Sequence, residues 1–222
     1  MTRISILAPW LALLTCAAPV LAQPTNISTT NKWSWSENCG WMNWRDAGSP
    51  IGSQGARIGS ARLSGFVWGE NVGWIHLGDN APASGVHYAN LDSSDYGVNI
   101  EAGTGNLFGL AWGENVGWIN FDTVAALGAF SQQARYDSAA QRLRGYAWGE
   151  NIGWINLDND QHFVGAGCAA DFNGDGTRDV PDIFAFLAAW FAMDPRADFD
   201  GNGSIAVPDI FAFLAAWFAG CP

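Results

Sequence analysis

Over the first two thirds of the chain, apolar residues alternate with polar or small ones in short runs broken by a recurring five-residue loop. A period of two is that of a half-buried β-strand. Around the loop stands one phrase in four copies: WSENCGWMN from Trp35, WGENVGWIH from Trp68, WGENVGWIN from Trp112 and WGENIGWIN from Trp148. Gly and Asn tolerate positive φ, so each phrase predicts a tight β-hairpin. Symmetry about Asn71 sets Trp68 opposite Trp74, Phe66 opposite His76 and Val67 opposite Ile75. The same arithmetic pairs Trp35 with Trp41, Trp112 with Trp118 and Trp148 with Trp154, whereas a bulge at the second Gly would shift each register by one.

In the last three copies the similarity reaches upstream, with Leu63, Leu107 and Leu143 five residues before the first Trp and Gly65, Gly109 and Gly145 three before it. Two of these upstream stretches, YGVNIEAGTGNLFGLAW and ARYDSAAQRLRGYAW, add another strand and turn, giving about three strands per full repeat. An antiparallel, hairpin-based all-β repeat domain over residues 33–158 follows. A sandwich, barrel, propeller or open solenoid each accommodates four unevenly spaced copies. A residue recurring at the same place in every repeat is expected to form the core that stacks one unit on the next. The tryptophans are therefore expected to be structural, with exposed rows that grip sugar rings as the competing reading. Glu70, Glu114 and Glu150 recur at the hairpin tips, where repetition favours turn chemistry over a catalytic carboxylate pair in two distinct environments.

Past residue 167 the period changes. Two 12-residue loops, DFNGDGTRDVPD from Asp171 and DFDGNGSIAVPD from Asp198, each run into the same stretch, PDIFAFLAAWFA, beginning at Pro181 and Pro208. Pro followed by Asp is helix-start chemistry. At 3.6 residues per turn Ile183, Phe184, Phe186, Leu187, Trp190 and Phe191 share one side, and Ala185, Ala188, Ala189 and Ala192 the other. The helices are amphipathic by size rather than polarity. Their large faces are expected to bury partly against each other, and the apolar area left over favours a partner surface, with Phe184, Leu187, Trp190, Phe211, Leu214 and Trp217 as the contact residues.

Charge directs attention to the loops. The chain carries 10 Lys and Arg against 21 Asp and Glu, a net charge of -11, which repels nucleic-acid phosphates and makes cations the natural counterpart. Oxygen side chains occupy loop positions 1, 3 and 5, namely Asp171, Asn173 and Asp175, then Asp198, Asp200 and Asn202. Gly176 and Gly203 stand at position 6, Thr177 and Ser204 offer a backbone carbonyl at position 7, and Asp182 and Asp209 hold position 12. Asp179 adds an oxygen at position 9, directly or through water, and Ala206 does not. The pattern predicts two calcium ions. Without a cation these acids would repel one another, so ion uptake is expected to stabilise the fold. Cys168 and Cys221 flank the segment, and in an exported chain they form the expected disulfide, worth about 4 kcal/mol by loop entropy. Cys39 replaces the Val or Ile of the other copies and is expected to be a buried free thiol.

Two such loops ending in Asp, each leading into a helix, resemble a type I dockerin over residues 168–222. The flanking Gly167-Cys168 and Gly220-Cys221 resemble the GC-type subgroup. The resemblance implies a small all-α, EF-hand-like calcium module that attaches through its helices to a cohesin-like receptor or other surface scaffold. Dockerins are commonly appended to polysaccharide-degrading enzymes, so a link with polysaccharide catabolism is implied at that level. These helices are apolar where type I dockerins often carry Ser, Thr and basic residues, which leaves self-association open beside cohesin binding.

Residues 1–22 read as a secretory signal, with Arg3, an apolar run from Ile4 to Leu14, and Val20 and Ala22 before Gln23. No later stretch is apolar enough to span a membrane. The expected organisation is signal 1–22, linker 23–32, β-repeat domain 33–158, linker 159–167 and calcium module 168–222. His76, His87 and His162 lack metal-ligand spacing, and no nucleophile elbow or phosphate loop occurs. The expected function is a secreted, non-catalytic protein, extracellular or held at the cell surface by its calcium module. A carbohydrate-binding accessory protein of a polysaccharide-degrading complex is the alternative, and a glycoside hydrolase built on the repeated glutamates is the third reading.

Overall fold

The computed structural model describes residues 25–49, 51–200 and 204–221, so the signal expected at 1–22 lies outside the described residues. The first phrase forms β1 (Ile27–Ser36) and β2 (Gly40–Asn43). The second copy supplies β3 (Arg57–Ile58), β4 (Leu63–Ser64), β5 (Phe66–Gly69) and β6 (Gly73–His76). From the third come β7 (Val98–Ile100), β8 (Leu107–Gly113) and β9 (Gly117–Asn120), followed by a single helical turn, α1 (Val124–Leu127). The fourth gives β10 (Arg135–Asp137), β11 (Arg142–Arg144), β12 (Tyr146–Gly149) and β13 (Gly153–Asn156), and β14 (Val164–Ala166) completes the domain.

Every phrase has the register that its symmetry predicts. Trp68 faces Trp74, Phe66 faces His76 and Val67 faces Ile75 without a bulge, and the other three Trp pairs match. The hairpins then pair side by side, β2 with β5, β6 with β8, β9 with β12 and β13 with β1, so eight antiparallel strands close into a barrel. Closure removes the exposed edges on which strands from other chains could add. A side-chain latch repeats at each seam: the amide Nδ2 of Asn71 donates to the Cys39 carbonyl, Asn115 to Val72, Asn151 to Val116, and Asn38 to Ile152. The last of these joins the first copy to the fourth.

The interior belongs to the aliphatic alternates: Met42, Val67, Ile75, Ala111, Ile119, Ala147 and Ile155 are buried. The tryptophans of the hairpins point outward, seven of them 36–44% exposed and Trp112 half-buried. This corrects the expectation that they form the core. Eight strands enclose a lumen that ordinary side chains already fill, so eight indoles do not fit where Val, Ile and Ala do. The rings instead cross one another steeply in pairs, with centroids 4.6–4.8 Å apart. The residual cavity, beside Met42, Trp44 and Phe121, is about 10 Å³, no more than one water requires.

Upstream, β3 pairs with β4, β7 with β8 and β10 with β11, which supplies the third strand of each full repeat and buries Leu63, Leu107 and Leu143. Gly65, Gly109 and Gly145 adopt φ of 82°, 96° and 77°, and a Cβ there would come within 2.2–2.3 Å of a backbone carbonyl of Gly55, Gly97 or Gln133. Only glycine passes. The segments 23–32 and 159–167, expected as linkers, also carry strand: β1 begins at Ile27 and β14 pairs with it, Ile27 opposite Ala166 and Lys32 opposite Val164. Each segment is too polar and irregular to announce itself alone, and the pairing exists only once barrel closure brings the ends together.

Beyond the barrel, α2 (Val180–Phe191) and α3 (Val207–Ala219) follow the two acidic loops. Phe186 and Phe213 stack with centroids 4.3 Å apart and, with Ala189 and Ala197, form a small buried core. The Cys168–Cys221 disulfide is formed and Cys39 is free and buried, both as expected. Among the described residues no helix is long and apolar enough to cross a membrane.

Candidate metal-binding loops and the faces around them

The position-12 aspartates organise both loops. Asp182 and Asp209 lie in the first turns of α2 and α3 and are wholly buried. Asp182 accepts the amides of Asn173 through Oδ1 (3.1 Å) and Asp179 through Oδ2 (2.8 Å). Asp209 does the same with Phe199 (2.8 Å) and Asp200 (3.2 Å) through Oδ1 and Ala206 (2.8 Å) through Oδ2. Burial pushes the Asp209 carboxyl up, but these amides outweigh it and leave it below the ordinary carboxylate range. The two units also exchange locks, as Trp190 Nε1 donates to the Ala206 carbonyl (3.1 Å) and Trp217 Nε1 to that of Asp179 (3.4 Å).

In the second loop the ligand oxygens converge: one carboxylate oxygen each from Asp198, Asp200 and Asp209 lie within 4.8 Å of one another. Oxygens bound at 2.3–2.6 Å on opposite sides of a calcium ion stand about 5 Å apart, so this donor set fits a hard divalent cation. Asn202 lies outside the described residues, and Ser204 is exposed at position 7.

The first loop is held by its own donors. Asp171 accepts Gly174 N through Oδ1 and Gly176 N through Oδ2, Asp175 Oδ1 accepts the amide and hydroxyl of Thr177, and Asn173 Nδ2 donates to Asp175 Oδ2 (2.9 Å). Burial, reinforced by Asp182 and Asp175, pushes the Asp171 carboxyl above its ordinary value against the pull of those amides. Desolvation, then Asp175 and Asp182, raise Asp179. A cation bound nearby relieves carboxyls that burial, and next to it neighbouring like charges, keep from ionising freely.

Of the residues expected to face a partner, Phe184 and Phe211 are each 67% exposed, whereas Leu187, Trp190, Leu214 and Trp217 are half-buried against the Phe186–Phe213 core. Phe191 and Phe218, at 76%, stand open beside them and were not singled out, although the same helical wheel contains them. Arg178 also reaches across the module, its Nη1 donating to the Trp217 carbonyl (2.6 Å) with the guanidinium over the Trp217 ring. Sequence reasoning missed what the barrel supplies. Arg45 Nη2 and Thr29 Oγ1 approach Gly174 and Gly176 so closely that a Cβ on either glycine would lie 3.4 Å from them, and Arg57 lies within electrostatic reach of Asp198. Those residues are remote in sequence, and no local pattern marks them.

On the barrel, Glu70, Glu114 and Glu150 are exposed, each on its own hairpin tip. Protein-family models, curated proteins and solved structures contain no match to the chain.

Proposed function

We propose that this is a secreted, non-catalytic protein in which a calcium-stabilised, dockerin-like module at the C-terminal end attaches the barrel to a cohesin-like or other surface scaffold. The observation that carries the reading is the duplicated loop-helix unit, with Asp182 and Asp209 buried in equivalent places and the oxygens of Asp198, Asp200 and Asp209 spaced for a divalent ion. The residues that would hold calcium are Asp171, Asn173, Asp175, Thr177, Asp179 and Asp182 in one loop and Asp198, Asp200, Asn202, Ser204 and Asp209 in the other. Bound ions would neutralise the loops and fix the angle between α2 and α3, and so set the spacing of Phe184, Phe191, Phe211 and Phe218.

A second reading, a carbohydrate-binding accessory protein, is favoured by one observation: the paired tryptophans form an outward belt around the barrel instead of its core. Exposed indole faces are suited to the apolar faces of sugar rings. Three measurements weigh both. Calorimetric titration of the full chain with calcium is expected to show binding, and deletion of residues 168–222 is expected to release the folded barrel from the cell surface. No heat of calcium binding, or surface retention after deletion, overturns the first reading. Tryptophan quenching by soluble glycans supports the second, and its absence across a broad panel removes it.

A further inference from the structure

The outward belt of the barrel is built to one plan. Each hairpin presents two tryptophans, one further aromatic residue or leucine and, at the end of its second strand, Asn43, His76, Asn120 or Asn156; none of these positions holds Asp, Glu, Lys or Arg. The seams set that last residue opposite the first Trp of the neighbouring hairpin: Asn43 with Trp68, His76 with Trp112, Asn120 with Trp148 and Asn156 with Trp35. Residues opposite one another across antiparallel strands lie side by side on one face. Two of the four seams are already satisfied. Asn43 Nδ2 donates to Asp46 Oδ2 (2.8 Å), and His76 Nδ1 shares a hydrogen bond with Tyr96 Oη (2.7 Å), whose ring stands edge-on to Trp118. The other two are open. Asn120 Oδ1 accepts the Asp122 amide (2.8 Å) and Asn156 Oδ1 that of Asp158 (3.0 Å), which fixes each side-chain amide and leaves its Nδ2 without a protein acceptor among the described residues. Trp148 and Trp35 beside them are 38% and 37% exposed.

We infer that these two seams are separate binding sites for neutral glycans, so that one barrel holds two chains. The inference rests on the carbohydrate-binding reading above and gives it sites, a ligand class and a valency. An indole offers a flat apolar surface to the C–H face of a pyranose ring, and a pre-oriented amide Nδ2 beside it donates to a hydroxyl oxygen on that ring. Charge selects among the ligands that stack on indole. The net charge is -11, and Glu37, Glu70, Glu114 and Glu150 stand exposed at the hairpin tips, so nucleotides and uronate-rich glycans are repelled. The two open seams flank the fourth hairpin, two strands apart in a ring of eight, and face directions a quarter turn apart. A stiff, extended glycan lying on one runs past the other, which is left for a second chain. The barrel is thereby a cross-linker of glycan chains.

The test titrates the full chain with cellohexaose, xylohexaose and mannohexaose, with hexagalacturonate as the anionic control, and follows the indole Nε1–H signals by nitrogen-edited NMR. At least one neutral hexaose should shift the signals of Trp148 and Trp35 and leave those of Trp68 and Trp112 in place. Asn120→Ala should weaken binding at Trp148 about fivefold and spare Trp35, and Asn156→Ala should do the reverse. Unchanged signals from the remaining indoles verify that each variant has folded. The soluble polymer of the same sugar should raise light scattering when mixed with wild type, and either variant should reduce the rise. Equal shifts at all four seams, binding of hexagalacturonate as tight as that of the neutral sugars, or no rise in scattering overturns the two-site assignment and leaves the carbohydrate reading standing. No shift with any of the four sugars overturns both. Indole shifts on dilution without glycan assign the belt to a second copy of the chain and also overturn both.

Discussion

The barrel buries a continuous core running from Ile27 to Val164, closes its own edges and repeats one latch at four seams. The C-terminal module, also built by duplication, has Phe186, Ala189, Ala197 and Phe213 as its fully buried apolar centre, and on either side of them a disulfide and two loops of acids. A domain with enough apolar surface to bury can leave its tryptophans outside. One with too little must be stapled, by a covalent bond and, in the proposed reading, by ions. The two regions should therefore fail independently and for different reasons.

The largest effect expected is on the module alone. Replacing Cys168 and Cys221 together by Ser removes a constraint on a loop with a sequence separation of 53, about 4 kcal/mol by the chain-entropy estimate. Among the described residues the module's core is four buried apolar side chains with half-buried ones packed around them, which leaves little margin against that loss. Differential scanning calorimetry of the variant should show the helical transition moved far down or absent, with the barrel transition where it was. A single transition that moves as a whole would mean that barrel and module fold as one unit, and the contrast drawn between them would be wrong.

How much of this was legible in the sequence follows the same divide. The hairpin registers were readable from Gly-Glu-Asn-Val-Gly, because turn chemistry is local. Which face of each strand points inward was not, because Trp on one side and Val or Ile on the other are both apolar, and alternation alone cannot rank them. Volume ranks them, and volume enters only when the number of strands in the closed ring is known. The two C-terminal helices were legible because helix-start chemistry is also local, and Asp182 and Asp209 stand in the first turns that the Pro-Asp pairs predict. Arg57 was not, since its electrostatic reach to Asp198 depends on how regions remote in sequence meet.

A departure within the repeat sharpens the account of the barrel. In three copies the first Gly of the phrase is required by its neighbour: a Cβ on Gly69, Gly113 or Gly149 would lie 2.5–2.6 Å from the side chain of Val72, Val116 or Ile152. The first copy has Ser36 instead of Gly, and there the neighbour is the smaller Cys39. The two changes read as one compensated exchange. Gly113→Ala should therefore destabilise the barrel by about 1–3 kcal/mol through overpacking. Adding Val116→Cys should recover part of that loss, although alone it removes buried apolar surface. Chemical denaturation of the two single variants and the double completes the cycle, and strictly additive costs would separate the two positions.

The smallest effect distinguishes a closed ring from an open array. In an array of repeats the terminal units lack a neighbour on one side, so a contact between first and last copies would count for nothing. In the ring, the seam between the first and fourth copies is a seam like the others. Asn115→Ala strips one hydrogen bond from the Val72 carbonyl and should cost about 1 kcal/mol. At the closing seam the Ile152 carbonyl accepts both Asn38 Nδ2 (3.2 Å) and Ser36 Oγ (2.9 Å), so Asn38→Ala alone leaves it a donor and should cost less. Ser36→Ala combined with Asn38→Ala removes both donors and should cost at least as much as Asn115→Ala. If urea denaturation finds the combined variant as stable as wild type while Asn115→Ala is weakened, the first and fourth hairpins do not meet in solution, and the barrel is open where the latch of Asn38 closes it.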